Sequence, residues 1–189
     1  MIQQIRDSLL TLAYPQSCHN CENNVESFDD GVVCRKCWLA TKIFSGNETI
    51  CQKCGRFLSD KPSKFETFCH QCDEHFYDAA RAVGIYEKAL SASILNLKSE
   101  PFVAKNLKKI FVEGFYKSNF QEVTRIIPVP LSKRRFFERG FNQAAVLSKV
   151  LAKKTGIVAD EFSLLRIKHT PKHRAGMDKK GRELSVKKA

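Results

Sequence analysis

The sequence lacks an apolar run long enough to span a bilayer, and it has no cysteine outside a close pair. Its first residues, MIQQIRDSLLTLAYP, place Arg6 and Asp7 inside the apolar stretch and offer no small-residue cleavage site. They therefore do not resemble a signal peptide. These absences argue against a membrane protein and against a secreted one, so we expect a soluble cytoplasmic protein without a membrane span.

Acidic residues are scarce in one part of the chain only. Residues 1–75 hold 8 Lys/Arg and 10 Asp/Glu, a net charge of −2, whereas residues 76–189 hold 24 and 10, a net charge of +14. Such a field attracts polyanions, including nucleic acid, phosphorylated small molecules and acidic lipids, although basic surface can also serve solubility alone. The cations are clustered, which favours a binding role: Lys133, Arg134, Arg135 and Arg139, then a run over 168–188.

All eight cysteines form Cys-x-x-Cys pairs within the first 72 residues: Cys18/Cys21, Cys34/Cys37, Cys51/Cys54 and Cys69/Cys72. Two thiolates on one tight knuckle can share a tetrahedral metal, so four knuckles predict two Cys₄ zinc sites. Disulfides do not suit a chain without a secretion signal, and a thioredoxin-like pair would explain one motif, not four. Iron–sulfur ligation stays an alternative. Closed Cys₄ sites predict structural zinc without metal catalysis.

The pairing of the knuckles is less constrained by the sequence. Sequential pairing of the first knuckle with the second, and of the third with the fourth, closes the shorter loops and is favoured over a cross-brace. His19, His70 and His75 lie beside the cysteines and could be spare ligands, but eight thiolates suffice, so we expect surface histidines. Asp-Gly between apolar flanks predicts a hairpin over residues 28–33.

Residues 76–189 alternate between strand and helix patterns. Short apolar runs predict strands over 80–86, 123–127 and 162–167, and helical spacing predicts helices over 88–98, 102–120 and 142–154. Pro101 suits the first turn of the second helix, and Gly156 suits the end of the third. Strands separated by helices predict a parallel α/β sheet, which binds ligands at the carboxyl ends of its strands.

The segment from Ile126 to Gln143, IIPVPLSKRRFFERGFNQ, follows one of these strands. Its two prolines predict a stiff exit loop, and arginine forks bind phosphate oxygens bidentately. A phosphate site is the hypothesis, and a solvated basic loop is the alternative. Phe136, Phe137 and Phe141 could stack on bases, but core packing is favoured. The proposed phosphate-site residues here are Arg134, Arg135, Arg139, Gly140, Asn142 and Gln143.

The Pro-Val-Pro segment, the arginines and Arg139-Gly140-Phe141-Asn142-Gln143, together with the four knuckles, resemble the ComF family. The resemblance implies a double zinc ribbon before a type I phosphoribosyltransferase-like domain that binds phosphoribosyl pyrophosphate, in proteins linked to DNA uptake during competence. It implies an N-terminal helix over 1–16, the ribbon over 17–75 and the phosphoribosyltransferase-like domain over 76–189. Lys98 matches a family lysine, Thr170-Pro171 matches a family segment, and the stretch from Lys172 to Arg182 resembles a mobile substrate-covering loop.

One departure from the family pattern is large. Relatives continue past the position of Ala189 into a strand with two acidic residues and a Thr/Gly-rich loop that holds the ribose 5-phosphate. We therefore expect an incomplete parallel sheet, weakened sugar-phosphate binding and no competent transferase, with magnesium needed only if that part were present. The alternative function is a nucleic-acid-binding module for single-stranded DNA, with zinc ribbons as scaffold and salt-sensitive affinity.

Overall fold

The computed structural model describes residues 14–72, 76–118, 120, 122–170 and 178–186. The predicted N-terminal helix therefore falls almost entirely outside the described residues. The helices are α1 (Arg35–Leu39), α2 (Lys88–Asn96), α3 (Lys105–Lys117), α4 (Lys133–Arg139), α5 (Gln143–Thr155) and α6 (Lys179–Val186). The strands are β1 (Thr49–Ile50), β2 (Phe57–Ser59), β3 (Arg125–Ile126) and β4 (Val158–Ala159), with 3₁₀ turns at Phe28–Asp30 and His70–Cys72. Within the described ranges, no helix is both long and apolar enough to cross a bilayer.

The chain forms two compact units. Unit 1 comprises Met1–Asn96 and Val103–Glu122, and unit 2 comprises Leu97–Phe102 and Val123–Ala189. Unit 1 therefore contains all eight cysteines together with α2 and α3, and unit 2 contains the basic segment after residue 123. The domain limits expected from the sequence stay a prediction, because these units are defined by contacts alone.

Cysteine knuckles and short hairpins organise the front of unit 1. In the second ribbon, β1 and β2 pair antiparallel, with Thr49 opposite Ser59 and Ile50 opposite Phe57. In the first ribbon, the buried apolar side chains apart from the cysteines are Val25, Val33 and Trp38 among the described residues. So little apolar surface suits a fold whose knuckles are held by metal rather than by a large core.

Two local predictions in unit 1 are wrong. Residues 28–33 do not form a hairpin, because the Ser27 hydroxyl accepts from the Asp29 amide (3.2 Å) and starts a 3₁₀ turn that ends at Gly31. Residues 80–86 do not form a strand of a parallel sheet. They run antiparallel to residues 42–44 through one isolated bridge between Ile43 and Gly84, so backbone pairing with the ribbon replaces the expected sheet.

Helix α3 and the residue before it pack against the rest of unit 1 through small residues. A Cβ added at Gly31 would lie 2.7 Å from the Ala104 Cβ, just before α3, and one added at Gly114 would lie 2.5 Å from a Val83 methyl group. Leu107 on α3 is buried. Helix α3 begins at Lys105 and not at residue 102, so Pro101 lies before the helix rather than in its first turn. Glycine at these two positions thus allows the close approach of Ala104 and of Val83.

Unit 2 is built on a parallel strand pair. Strand β3 pairs with β4, with Arg125 opposite Val158 and Ile126 opposite Ala159, and α4 and α5 lie between them in the sequence. Gly156 ends α5 in the left-handed conformation, as predicted. The strand expected over 162–167 is wrong. β4 lies earlier, and residue 166 makes only an isolated parallel bridge, to Ser132.

The Asp160 side chain, directly after β4, bonds to Arg125 of β3 and to two donors in its own loop. The Asp160 carboxylate accepts from the Ser163 hydroxyl (2.5 Å), the Phe162 amide (2.9 Å) and the Arg125 guanidinium (2.7 Å). These donors, led by the Ser163 hydroxyl, hold the pKa of Asp160 well below its usual range. The mixture of helix and strand behind an N-terminal ribbon is confirmed, and parallel pairing is limited, in the described part of unit 2, to β3, β4 and the one bridge.

Candidate metal centres and candidate phosphate site

The eight cysteines form two tetrads. The sulfur atoms lie within 4.8 Å of one another in each set, and the sets are Cys18/Cys21/Cys34/Cys37 and Cys51/Cys54/Cys69/Cys72. This grouping is the sequential pairing that the loop lengths favour. It also excludes the cross-brace in this structure, since neither tetrad mixes the first knuckle with the third.

The sulfur spacing fits a tetrahedral zinc. A Zn–S distance of about 2.3 Å places neighbouring sulfurs roughly 3.8 Å apart. The Sγ–Sγ distances are 3.6 Å for Cys21–Cys34 and 3.5 Å for both Cys51–Cys72 and Cys54–Cys69. Each set has four sulfur donors and, among the described residues, no fifth ligand, which suits a closed structural site, so the tetrads are consistent with two zinc ions.

Each tetrad favours thiolate at its first cysteine. Burial raises the pKa of the Cys18 thiol, but hydrogen bonds from the backbone amides of Cys34, Asn20 and Cys21 outweigh it and lower the pKa to about 6. Burial also raises the pKa of Cys51, but hydrogen bonds from backbone amides outweigh burial and lower the pKa to about 6. Burial instead raises the pKa of Cys37 and of Cys72 to about 12. The backbone therefore prepares one anionic ligand in each site, and a bound cation would ionise the others.

Asn20 supports the first tetrad from inside its knuckle. Its side-chain amide donates to the Cys37 sulfur (3.1 Å), and its backbone amide lies 3.5 Å from the Cys18 sulfur. Such outer bonds orient metal ligands. Sequence reasoning missed Asn20, although its place between two cysteines was a usable signal. His19 and His70 lie outside both tetrads, as expected, and His75 is outside the described residues.

Three cationic residues and one acidic residue of unit 2 line a small, half-open cavity. About 200 Å³ of space is lined by Lys98, Arg135, Glu138 and Arg139. The arginines lie on helix α4 and not on a stiff exit loop, so the prediction of an arginine loop is wrong. Ser132 caps this helix by accepting from the Arg135 amide, and the helix starts at Lys133, three residues after Pro130.

Arg135 is held in place while part of it stays unpaired. Its Nη2 donates to the Thr170 carbonyl (2.7 Å), and Thr170 also accepts from Arg166 through its hydroxyl. The Nε of Arg135 is buried and has no hydrogen-bond partner among the described residues. A buried donor without a hydrogen-bond partner costs free energy.

The other predicted phosphate-site residues are distributed around this cavity or away from it. Arg139 donates to the Gln143 side chain. Arg134 forms an ion pair with Glu138, with 2.9 Å between Nε and Oε1. Gly140 ends α4 with φ +80°, and Asn142 caps α5. Lys172 is outside the described residues, as is the side chain of Arg182. Phosphate binding by any of these residues stays a prediction.

Aromatic side chains on α4 face solvent. Phe137 is 91% exposed and Phe136 is 51% exposed, so core packing is wrong for these two, while Phe141 is partly buried. Glu138 was also missed by sequence reasoning. Its position four residues after Arg134 predicts the ion pair, but only the folded helix shows that Glu138 lines the cavity.

The two cysteine tetrads and the β1–β2 hairpin fit a double zinc ribbon in the front part of the chain, and comparison with known families agrees. Residues 9–77 match the family described as a double zinc ribbon domain. The chain is 29% identical to the competence protein ComFC of Bacillus subtilis over 132 residues, which is 65% of this chain and 52% of that protein. It is 28% identical to competence protein F of Haemophilus influenzae over 180 residues, 91% of this chain and 74% of that one.

The ribbon and the homology to these two competence proteins together support the ComF family, which confirms the resemblance found in the sequence. The aligned region spans about half the length of the Bacillus relative. No solved structure matches the chain.

Proposed function

We propose that this protein acts in natural competence as a ComF-family phosphoribosyltransferase-like protein that binds phosphoribosyl pyrophosphate or a related sugar phosphate in the cytoplasm. The binding site is the cavity of Lys98, Arg135 and Arg139, and the zinc ribbons have a structural role. Two proteins named for competence are homologous to the chain, which supports the role in DNA uptake. Eight thiols that bind metal must stay reduced, which supports a cytoplasmic location.

The observation that carries the proposal is the convergence of three cations on one small cavity after a parallel strand. Lys98 comes from the segment before α3, whereas Arg135 and Arg139 come from successive turns of α4. Like charges gathered in about 200 Å³ repel one another, so an anion that bridges them is favoured.

The metal sites contribute stability rather than chemistry under this proposal. Each tetrad has four sulfur ligands, and a tetrahedral zinc held by them has no open position for substrate. Structural zinc contributes about 10–16 kcal/mol of binding free energy to the folding of small ribbons. Substrate binding therefore belongs to unit 2.

Calorimetric titration of the zinc-loaded chain with phosphoribosyl pyrophosphate and magnesium tests the proposal. We expect saturable binding that weakens by about tenfold in Lys98→Ala and in Arg139→Ala, because each variant removes a charge-assisted bond to phosphate. Lys133→Ala is the matched control, since Lys133 lies on the same helix but does not line the cavity. Wild type without saturable binding, or equal affinities in all variants, would contradict the proposal.

The exposure of Phe136 and Phe137 beside the arginines favours single-stranded DNA as a second candidate ligand. Base stacking on an aromatic side chain is worth about 1–3 kcal/mol per base, and phosphate contacts make binding fall with salt. Fluorescence anisotropy with a labelled oligonucleotide over a salt series tests this function. We expect Phe137→Ala to weaken binding about fivefold or more at every salt concentration. Affinity that is independent of salt would exclude this mode.

A further inference from the structure

We infer that unit 1 contains a binding site of its own, a cavity for a small organic monocarboxylate between the second ribbon and the end of helix α3. The cavity measures about 210 Å³, and its lining residues lie within 44–52, 81–83 and 114–118, all in unit 1. A cavity of about 150 Å³ can hold benzene, so this volume suits a small ring or short chain with one charged group. The candidate phosphate site is lined by residues of unit 2, and the inference does not depend on it.

Arg81 lines this cavity with a guanidinium that is only partly bonded. Its Nη1 donates to the backbone carbonyls of Gln52 and Ala80 (2.8 Å each), and its Nη2 donates to the Gln52 side-chain oxygen (3.2 Å). Gln52 is itself a lining residue, so these bonds hold the guanidinium at the cavity wall. The described residues provide no acceptor for its Nε, nor for the second hydrogen on Nη2. An arginine held in this way can bind a planar carboxylate through two parallel hydrogen bonds.

Lys117, in the last turn of α3, supplies a second positive charge. Its Nζ donates to the carbonyl of Phe44 (3.2 Å), which is also a lining residue, and an ammonium group has further hydrogens to offer. Neither Lys117 nor Arg81 forms an ion pair with a carboxylate of the described residues. Two cations without a paired carboxylate favour an anion between them.

Glu48 is the acidic residue of the lining, and its carboxylate is already bonded. The side chain is 5% exposed and pairs with Lys42 (3.5 Å). Its two oxygens also accept from the backbone amides of Ser45 and Gly46 (3.0 Å each). The charged lining residues are therefore two cations and one carboxylate, a net charge of +1. One carboxylate group on a ligand neutralises that charge, whereas a phosphate dianion exceeds it.

Apolar side chains form another part of the wall. Phe44, Ile50 and Val83 line the cavity, and the Phe44 ring stacks on Phe57 with 5.9 Å between the ring centroids. The Phe44 amide donates to the Val83 carbonyl (3.0 Å), which joins two sides of the wall. These contacts form without a ligand, so the cavity is organised in advance. An apolar wall with a few polar groups suits a ligand whose carboxylate is attached to an apolar body.

Titration of the isotope-labelled, zinc-loaded full chain with benzoate, followed by two-dimensional NMR, tests the inference. We expect saturable shifts of the amides of Gly46, Val83 and Gly114, which line the cavity. Benzamide has the same shape but no charge, so it should bind at least tenfold more weakly. Inorganic phosphate at the same concentration should leave these three amides unshifted. Equal affinities for benzoate and benzamide, or equal shifts with phosphate, would overturn the inference, as would no shift with benzoate at millimolar concentration.

Three variants assign the recognition to the two cations. Arg81→Lys keeps the charge but loses the paired N–H groups, so benzoate should bind about tenfold more weakly. Lys117→Gln removes a charge and should weaken binding about threefold. Lys109→Gln is the control, because Lys109 lies on the same helix, is 69% exposed and does not line the cavity, so its affinity should equal that of wild type.

The Lys117 variant keeps the test decisive if Arg81→Lys fails to fold. Arg81 bonds two backbone carbonyls of the ribbon, whereas Lys117 bonds one, so the loss of Lys117 disturbs the wall less. Zinc content and melting temperature of each variant report on folding. A folded Lys117→Gln variant that binds benzoate as tightly as wild type would overturn the inference, and failure of this site would leave the candidate phosphate site in unit 2 untouched.

Discussion

The hydroxyl of Thr41 joins the first cysteine tetrad to helix α2, because it accepts from the Ala89 amide (3.1 Å) and donates to the Cys37 carbonyl (2.7 Å). Thr41 and Ala89 are both buried and lie 48 positions apart in the sequence. The start of α2 is therefore bonded to the backbone of a metal-ligand residue.

Removal of zinc should consequently loosen more than the ribbons. We expect a chelator to release two zinc ions per chain and to raise amide hydrogen exchange at the start of α2 together with the ribbon amides, because the Thr41 bridge loses its anchor. Exchange mass spectrometry, with α5 in unit 2 as the internal reference, measures this. Unchanged protection in α2 after complete zinc release would show that the helix is held by other contacts.

Thr41→Val tests the bridge without touching a ligand. The substitution keeps the shape but leaves the Ala89 amide buried without its partner, so we expect a loss of about 1–3 kcal/mol in the free energy of unfolding. Thr67→Val is the control, since the Thr67 hydroxyl bonds only at the surface (3.2 Å to the Phe65 carbonyl) and its loss should cost under about 0.5 kcal/mol. Denaturant unfolding of both variants decides the point, and equal losses would argue against the bridge.

Paired cysteine substitutions test the composition of the tetrads. The double variant Cys18→Ser/Cys34→Ser removes two ligands from the same tetrad, so we expect one zinc ion per chain to remain. Cys18→Ser/Cys51→Ser removes one ligand from each tetrad and should leave no full-affinity site. Metal analysis of the purified variants gives the counts. The reverse result would indicate a cross-brace.

Gly31→Ala should be more damaging than Gly156→Ala. Both glycines have positive φ, 72° and 77°, but a Cβ at position 31 would lie 2.7 Å from the Ala104 Cβ, whereas one at position 156 meets nothing within 4 Å. We expect a loss of about 1 kcal/mol at position 156 from backbone strain alone and of about 2–4 kcal/mol at position 31. Thermal unfolding of the two variants compares them, and equal losses would mean that residues 31 and 104 separate without cost.

The Asp160 carboxylate should make unit 2 sensitive to acid. Because its pKa is lower in the folded chain than in the unfolded one, the stabilisation is fully present above a pH of about 4 and is lost as the pH falls through the folded pKa. Asp160→Asn should therefore lower the melting temperature by a few degrees at pH 7. The difference from wild type should shrink below about pH 4, and calorimetric scans between pH 7 and pH 3 follow it. A difference that grows on acidification would assign the effect to another group.

Local patterns predicted the helices of this protein better than its strands. The spacing of apolar residues located α2, α3 and α5, with ends shifted by at most three residues. The apolar segment over 80–86 was misassigned because its pairing partner is a ribbon loop some 40 positions earlier, and no local pattern encodes such a contact. Whether a segment forms a strand depends on the segment that pairs with it, whereas whether it forms a helix depends mainly on its own residues.

For the candidate phosphate site, the sequence predicted the residues better than their backbone conformation. Arg135 and Arg139 were identifiable from their clustering, but the sequence suggested a loop because Pro128 and Pro130 precede them. Ser132 caps a helix instead, and the helix turns Arg134 away from the cavity while it brings Glu138 against it. Arg134 and Glu138 are four positions apart, and the helical backbone conformation decides that Glu138 and not Arg134 lines the cavity.

The sequence by itself determined the two metal centres, since thiolates three residues apart can close on one ion and the short loops between knuckles set the sequential pairing. It also determined that the positive charge lies behind them. Only the tertiary structure decided which cations share a cavity, that a carboxylate lies with them and that Thr41 bonds the first tetrad to α2. Those relationships join residues far apart in the chain, and distance in space is fixed by packing rather than by local spacing.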